Sequence, residues 1–333
     1  MEQKIDFVIA WVDGNDKKWI EEKARYSPGA NSNSTSFNYQ NWDNLHYWFR
    51  AVEKFTPWVN NIYFITWGHI PSWLNINHPK LRIVNHKEFI PEKYLPTFSS
   101  HTIELNLHRI KGLSEHFVYF NDDTFILKEM KQKDFFKRGL PRDSAVVNPI
   151  APANKNCIAS LQLNNIGVIN ENFKKKLVIR KSFKKWFSPL FGKLVLLNLI
   201  FLPWNRFVGL YEMHLPSSFL KQSYIDIWDR ENEILDQTCE HKFRYFKSDV
   251  NQWVIKEWQL VSGNFFPRST SIGKLFAIKD IEDAKVLKKY IIKQKKKMIC
   301  VNDHVVDNSF NEIKNYVNDS FKVILPDKCG YEL

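Results

Sequence analysis

The chain has 333 residues, enough to bury a sizeable core as one large α/β domain or as two smaller ones. Hydrophobic residues make up 44% of it and aromatic residues 15%, which excludes a disordered protein. The 48 Lys and Arg exceed the 36 Asp and Glu by 12, which favours polyanionic partners: phosphorylated substrates, an anionic membrane surface or nucleic acid.

The start of the chain carries no basic region followed by an apolar stretch, so we predict no signal peptide and a cytoplasmic location. The four cysteines lie far apart without a Cys-x-x-Cys pair: Cys157, Cys239, Cys300 and Cys329. This spacing favours reduced, mostly structural thiols over a zinc site or a disulfide framework.

Short apolar runs without helical period predict strands over residues 5–12, 62–67, 81–86 and 117–121. Between the first two, apolar residues recur at helical spacing over 42–55, which indicates an amphipathic helix lying on a sheet. The alternation of strands and helices predicts an α/β fold, and we expect one domain with an insertion.

Polar residues follow two of these strands. Asp13 and Gly14 come after the first, and Asn121, Asp122 and Asp123 end the fourth. Adjacent carboxylates repel one another and lose hydration, so a divalent cation or a cationic substrate between them is favourable. Right-handed winding of the sheet would place Asp122 beside Asp13. The alternative is that these residues only cap turns.

Further helices are predicted at 101–110, 217–239, 249–260 and 288–297, and the Pro-, Gly-, Asn- and Ser-rich residues 27–36 predict a loop. Another helix begins near Lys17, where Asp13 or Asp16 would cap it or contact a nucleotide.

In the helix predicted at 101–110, Glu104 and His108 lie four residues apart on one face. The carboxylate would orient the imidazole there, or the pair would only solvate the surface.

Several short motifs occur in an order that is specific to one family. They are Trp11-Val12-Asp13-Gly14, Phe49-Arg50, Pro57-Trp58-Val59, Leu95-Pro96-Thr97-Phe98-Ser99-Ser100, Ile103-Glu104, His108-Arg109-Ile110 and Asn121-Asp122-Asp123. With them the chain resembles the Stealth family of sugar-1-phosphate transferases, whose four regions correspond here to 5–16, about 37–140, about 210–262 and 298–332.

The resemblance implies a Rossmann-like, nucleotide-diphosphosugar-binding mixed sheet flanked by helices, with a catalytic domain assembled from 1–150 and 210–333. It implies four catalytic residues: His214, Arg244, Asp303 and Asp123. The expected metal ligands for Mg²⁺ or Mn²⁺ are Asp122, Asp123, Asn302 and Asp303. The expected substrate-binding residues are Asp13, Gly14, Arg50, Ser99, Ser100, Glu104, His108, Arg109 and Asn121.

Residues 151–209 are predicted to be a basic insertion in which lysines alternate with aromatic residues. Its apolar part, 190–202, is too short to span a bilayer, which takes about 20 residues. Such a segment suits an element lying on an anionic membrane, and the alternative is a helical hairpin packed on the catalytic core.

The implied reaction transfers a hexose-1-phosphate or an N-acetylhexosamine-1-phosphate from a UDP-sugar to a glycan hydroxyl, and releases UMP. The expected context is capsular or cell-wall polysaccharide synthesis at the inner face of the plasma membrane, with a lipid-linked acceptor. One alternative is a metal-dependent glycosyltransferase, which would release UDP. Another is a non-catalytic basic module that binds membranes or nucleic acid; nucleic acid is disfavoured because the paired carboxylates would repel it.

Overall fold

The computed structural model describes residues 3–27, 41–154, 156–305 and 309–333, and the predicted loop over 27–36 lies outside these residues beyond Ser27. The strands are β1 Ile5–Ala10, β2 Ile62–Thr66, β3 Leu81–Asn85, β4 His116–Phe120, β5 Thr124–Ile126, β6 Phe136–Lys137, β7 Leu140–Asp143, β8 Ser217–Leu220, β9 Phe266–Pro267, β10 Gly273–Ile278 and β11 Met298–Asp303. The helices are α1 Lys17–Tyr26, α2 Leu45–Phe55, α3 Ser100–Leu105, α4 Gln132–Phe135, α5 Ile158–Asn172, α6 Lys175–Lys181, α7 Phe183–Trp186, α8 Val195–Ile200, α9 Lys221–Arg230, α10 Asn232–Glu240, α11 Gln252–Val261, α12 Ile281–Ile292 and α13 Phe310–Ile324.

A five-stranded sheet in the order β3-β2-β1-β4-β8 forms the centre of the molecule. Its first four strands are parallel, and β8 runs antiparallel to β4. Successive side chains of a strand point to opposite faces, and here both faces are covered by apolar clusters. Phe7 belongs to one cluster and Val8 to the other, which is why the strands read as unbroken apolar runs. The predicted mixed α/β sheet flanked by helices is confirmed.

Two three-stranded sheets join this centre, in the orders β10-β11-β5 and β6-β7-β9. Strand β5 begins directly after Asp123, and the Val301 N–H of β11 donates to the Asp123 carbonyl at 2.8 Å. The second sheet therefore brings the end of β11 to the carboxyl end of β4.

Strand β8 and the break after it correct the helix predicted over 217–239. Residues 217–220 pair with β4, with Ser218 opposite Val118, and two separate helices follow, α9 and α10. The edge of β4 supplies backbone hydrogen bonds to residues 217–220, and this pairing outweighs the helical preference of their local sequence.

The predicted helix over 101–110 is also shorter than expected. Helix α3 ends at Leu105, and residues 107–109 form a separate 3₁₀ turn. The Asn106 side chain donates to the Thr102 carbonyl at 2.8 Å, which takes an acceptor at the end of the helix and accompanies the break.

The insertion leaves and re-enters the core at one point, which we call the neck and which consists of residues 146–150 and 208–211. Val147 pairs antiparallel with Leu210, and the Tyr211 N–H donates to the Val146 carbonyl at 2.9 Å. Gly209 has φ +138°, and a Cβ there would lie 2.3 Å from the Asn148 carbonyl oxygen, so only glycine fits.

One face of residues 151–209, the predicted insertion, packs on the core of the sheet, which is the arrangement that the hairpin alternative describes. Leu161, Ile169, Trp186 and Phe207 are buried in the same apolar cluster as the sheet. Within the described ranges of the chain, no helix has both the length and the hydropathy needed to cross a bilayer.

Candidate active site

The residues after β4 form a tight turn into β5. The Asn121 carbonyl accepts from both the Thr124 N–H, at 3.1 Å, and the Thr124 hydroxyl, at 2.7 Å. This turn holds Asp122 and Asp123 at the carboxyl edge of the sheet, where open α/β sheets bind ligands. Asp13 follows the adjacent parallel strand β1 at the same edge, as predicted.

Asp123 lies at the centre of this group. Its Oδ2 accepts a hydrogen bond from the Cys300 thiol at 3.1 Å and lies 3.8 Å from His214 Nε2. Its Oδ1 is buried and has no hydrogen-bond partner. Burial raises the pKa of the Asp123 carboxyl, and His214 and the Cys300 thiol offset only part of that rise.

Cys300 supplies a hydrogen bond to Asp123. Burial raises its pKa well above the usual value, with the Asp123 charge adding to the effect, so the thiol stays protonated at neutral pH. Asp123, His214 and Cys300 offer ligand atoms within 4.8 Å of one another. Because a protonated thiol is a poor ligand for a hard cation and such cations prefer oxygen to nitrogen, the Asp123 oxygen is the ligand in this trio that fits one best.

The backbone at His214 has φ +50°, a conformation that non-glycine residues seldom adopt. The His214 N–H donates to Glu212 Oε1 at 3.1 Å, and the ring meets the Trp253 ring edge-on at 5.7 Å. Buried Lys256 contacts both Glu212 oxygens at 2.8 Å and Asp143 at 3.3 Å. These contacts position the imidazole beside Asp123.

A second group surrounds Arg244, whose Nη2 donates to the Ser100 hydroxyl at 2.8 Å. Burial raises the pKa of Glu104 to about 7, and the Arg244 guanidinium counteracts part of that rise. Loss of hydration, followed by the Asp123 charge, raises the pKa of Asp122, and Arg244 opposes this too. The Asp122 side chain is exposed to solvent. The structure therefore brings Arg244 close to the acidic groups.

Asp303 ends β11 and faces a different neighbour. Its Oδ2 accepts from the Trp42 indole N–H at 3.2 Å, and its Oδ1 accepts from the Val305 N–H at 2.9 Å. Burial raises its pKa. In the parts of the chain that are described, neither Asp303 nor Asp122 belongs to a group of three or more His, Cys, Asp or Glu ligand atoms within 4.8 Å. The predicted set with Asn302 is thus not gathered that tightly in the structure.

At the end of β1, the Asp13 N–H donates to His69 Nε2 at 2.8 Å, and the Asp13 carboxylate accepts from the Asn15 N–H at 2.9 Å. Asp16 caps α1 by accepting from the Trp19 N–H at 2.9 Å, which confirms the capping interpretation for that residue. The Gly14 turn therefore presents its backbone at the same sheet edge as Asp122.

A cavity of about 840 Å³ also opens at this edge, beside the ends of β2 and β3. Trp67, His86 and Thr97 line it together with α1, and none of the acidic strand-end residues does.

Arg50 is held by residues near the end of the chain and makes no hydrogen bond to the carboxylates that follow β4. It forms a two-point ion pair with Glu332, at 2.7 Å for each contact, and donates to the Leu325 carbonyl at 3.0 Å. Its guanidinium therefore joins α2 to the end of the chain instead of lying free for a substrate.

The expected pairing of Glu104 with His108 is wrong, because the break at Asn106 separates them. His108 packs against the Tyr224 and Trp228 rings, and burial lowers its pKa to about 3. Arg109 donates to the Asn106 side chain at 2.9 Å and lies over the Trp228 ring.

Ser99 is fully buried, and its hydroxyl has no partner. Neighbouring Ser100 contacts Arg244 instead. Of this serine pair, only Ser100 is joined to the predicted site by a hydrogen bond.

Three residues of the site were not predicted from the sequence: Cys300, Glu212 and Lys256. Alternation along β11 places Cys300 on the same strand face as Asn302, and that pattern was available in the sequence. The ion pairs of Lys256 join α11 to distant segments, and no local pattern indicates them.

Two conserved regions of one family match this chain: Stealth protein CR1, conserved region 1, over residues 3–30, and Stealth protein CR2, conserved region 2, over residues 38–143. These matches confirm the first two predicted regions.

Curated relatives match along nearly the whole chain. It is 42% identical to capsular polysaccharide phosphotransferase WcwK of Streptococcus pneumoniae, over 99% of this chain and 98% of that protein. It is 38% identical to exopolysaccharide phosphotransferase cps2G of Lactiplantibacillus plantarum, over 98% and 96%. It is 38% identical to receptor polysaccharide phosphotransferase WefC of Streptococcus gordonii, over 100% of each.

Among solved structures, galactosyltransferase LgtC in complex with donor and acceptor sugar analogues aligns with a TM-score of 0.39 at 10% identity, over 94% of this chain and 95% of that one. That likeness is too distant to bear on function. The conserved regions and the full-length relatives are decisive: this chain belongs to the Stealth family and is a phosphotransferase.

Proposed function

We propose that this phosphotransferase moves a hexose-1-phosphate or an N-acetylhexosamine-1-phosphate from a UDP-sugar to a glycan hydroxyl in capsular or cell-wall polysaccharide synthesis. The hydroxyl oxygen bonds to the phosphorus next to the sugar, the bond from that phosphorus to the bridging oxygen breaks, and UMP leaves. The relatives named as capsular polysaccharide and exopolysaccharide phosphotransferases support this reaction class.

The observation that carries the proposal is the Asp123 carboxylate, with its buried, partnerless Oδ1 and with His214 Nε2 3.8 Å from Oδ2. An oxygen in this state suits Mg²⁺ or Mn²⁺. Asp122, Asn302 and Asp303 would be the other oxygen ligands, and binding of the ion would draw Asp122 and Asp303 closer to Asp123 than they lie in the structure. A divalent cation, when bound, would neutralise charge on the diphosphate.

His214 is the proposed general base. It takes the proton of the acceptor hydroxyl as the new oxygen–phosphorus bond forms, and histidine is the side chain that enzymes use most often for this role. Glu212 and Lys256 keep the imidazole in place through the hydrogen bond to the His214 backbone.

Arg244 is the proposed phosphate clamp. Its side chain is exposed and is held by Ser100, so its remaining N–H groups can donate to phosphoryl oxygens, on which charge develops. Asp13 and Gly14 would seat the nucleotide at the end of β1.

The acceptor in this proposal is a lipid-linked glycan, and the enzyme works at the cytoplasmic face of the plasma membrane. The exposed basic insertion supports that placement, because it offers a cationic, apolar surface to an anionic leaflet.

The test is mass spectrometry of the products after incubation with UDP-N-acetylglucosamine or related UDP-hexoses and an acceptor glycan, with and without Mg²⁺. We expect metal-dependent UMP and a phosphodiester on the glycan. Release of UDP would overturn the proposal in favour of glycosyl transfer.

The His214→Ala variant should retain donor binding and lose about 10²-fold in turnover, since that is the usual contribution of a general base. His78→Ala is the matched control, because His78 packs against the Tyr331 ring outside the group formed by Asp123, His214 and Cys300, and its loss should leave turnover near normal. Equal turnover of the two variants would remove His214 from the role of base.

A further inference from the structure

Helix α8 in the insertion has an inverted distribution of polar and apolar side chains. Its one polar residue, Asn198, is fully buried, whereas Leu196, Leu199 and Ile200 are exposed by 53%, 50% and 59%. Because water favours the opposite arrangement, a helix of this kind is stabilised when its outer face meets an apolar phase.

Asn198 fixes which face of α8 points outward. Its Oδ1 accepts from the Val147 N–H at 2.6 Å, and its Nδ2 donates to the Ala145 carbonyl at 2.8 Å and to the Trp186 carbonyl at 2.6 Å. With two bonds to residues outside the insertion and one to the end of α7, the helix cannot turn its leucines inward without losing all three.

The apolar surface extends beyond the helix on both sides. Leu190 precedes it, and Leu202 and Trp204 follow it, each exposed by 40% or more. The Lys175 ammonium donates to the carbonyls of Phe201 and Trp204, which holds the segment after α8 in place. The exposed residues are therefore presented by an ordered surface.

This concentration differs from ordinary scatter. Of the 21 large hydrophobic side chains that are exposed in the described part of the chain, 10 fall between Ile158 and Trp204. The largest apolar patches on protein surfaces usually mark interaction sites, whereas single exposed residues need no explanation.

The charged residues around α8 are all basic. Residues 172–211 contain nine Lys and Arg and no Asp or Glu. Seven of these basic side chains are exposed: Lys174, Lys176, Arg180, Lys181, Lys184, Lys193 and Arg206. A surface with this charge is complementary to an anionic layer, and each cation near an anionic leaflet adds to the binding.

We propose that α8 and its flanks form a membrane-docking surface, in which Leu190, Leu196, Leu199, Ile200, Leu202 and Trp204 enter the interface of an anionic lipid bilayer. Helix α8 is about 9 Å long, so it lies in the interface and does not cross. The proposal rests on the proposed function only for its purpose, the approach to a lipid-linked acceptor. Docking itself requires neither donor nor acceptor.

The test is flotation of the full chain with vesicles of phosphatidylglycerol and phosphatidylcholine in equal parts, in the absence of any nucleotide. We expect binding that weakens with added salt and is much weaker on vesicles of phosphatidylcholine alone. Replacing Leu196, Leu199 and Ile200 together by Ser should weaken binding at least ~10-fold.

The matched control replaces three exposed apolar residues outside the insertion, Ile20, Ile76 and Val323, by Ser. It should bind like the parent chain, and thermal unfolding should show that both triple variants fold. Absence of vesicle binding by the parent chain, or equal binding by the two variants, would overturn the proposal. So would a dimer of the parent chain in sedimentation that the α8 variant abolishes, since the surface would then join two copies.

Vesicle binding and phosphotransfer are measured separately, so the two proposals fail separately. An α8 variant that transfers sugar phosphate to a water-soluble acceptor at the parent rate, yet fails to float, would support docking and leave the chemistry intact.

Discussion

The candidate active site and the α8 surface depart from the usual distribution of side chains in opposite directions. At the site, Asp123 places a carboxylate oxygen in the interior without a partner, and at α8, Leu199 places an apolar side chain in water. Asp6 at the other end of the central sheet shows the ordinary solution: its carboxylate accepts from the Asn60 amide and from the Asn61 and Ser114 N–H groups. Each departure costs free energy that a binding partner would recover, a cation in one place and a bilayer in the other.

Lys256 allows a test of how much a buried charge contributes to stability when it is paired, in contrast to the unpaired Asp123 oxygen. The Lys256→Met variant leaves the partly buried Glu212 carboxylate without its cation and removes one of the two cations beside buried Asp143, the other being Arg268, so we expect the free energy of unfolding to fall by about 3 kcal/mol. Lys285→Met is the control, because its ion pair with Glu282 is exposed to water and its loss should change stability far less. Urea denaturation measures both, and similar losses would contradict the distinction.

Glu104 gives the opposite case, a buried acid that favours its neutral form. Its folded pKa of about 7 lies above the ordinary 4.5, so ionisation weakens the folded state as pH rises through this interval. The Glu104→Gln variant cannot ionise, and between pH 5 and pH 8 its stability should gain about 3 kcal/mol relative to the parent chain.

Urea denaturation at the two pH values measures this gain. The buried histidines also make stability depend on pH, but their contribution is the same in both proteins and cancels in the difference. Exposed Glu282→Gln should show no such change. A stability difference that stays constant with pH would show that Glu104 ionises normally.

The Asp123→Asn variant should affect activity and stability in opposite directions. Turnover should fall about 10²-fold, equivalent to about 2.7 kcal/mol, because an amide replaces the proposed metal-binding carboxylate. The thermal midpoint without metal should stay level or rise, since burial disfavours the ionised Asp123. Added Mn²⁺ should raise the midpoint of the parent chain and leave the variant unchanged; a rise in both would place the cation elsewhere.

The strands and the location of the site were predictable because they follow from local pattern. Apolar runs marked β1 and β2, and the carboxylates at the end of β4 pointed to the sheet edge that also carries Asp13. Strand β8 was not predictable, because its fold depends on the free edge of β4, far away in the sequence.

The insertion shows a different limit. Its sequence was compatible with a hairpin packed on the core and with an element facing a membrane, and the structure shows a core-packed face and an exposed apolar face on the same segment. The choice of face is made by Asn198, two of whose three partners, Val147 and Ala145, lie outside the insertion. Hydropathy along the chain contains no information about those partners.

The neck ties the position of His214 to the insertion. Leu210 pairs with Val147, and only Tyr211, Glu212 and Met213 separate it from the histidine. If α8 rests on a bilayer, this short covalent path fixes the height at which the imidazole stands above the lipid headgroups. An acceptor carried on a lipid must then bring its hydroxyl to that height, so the length of its glycan becomes a condition for reaction.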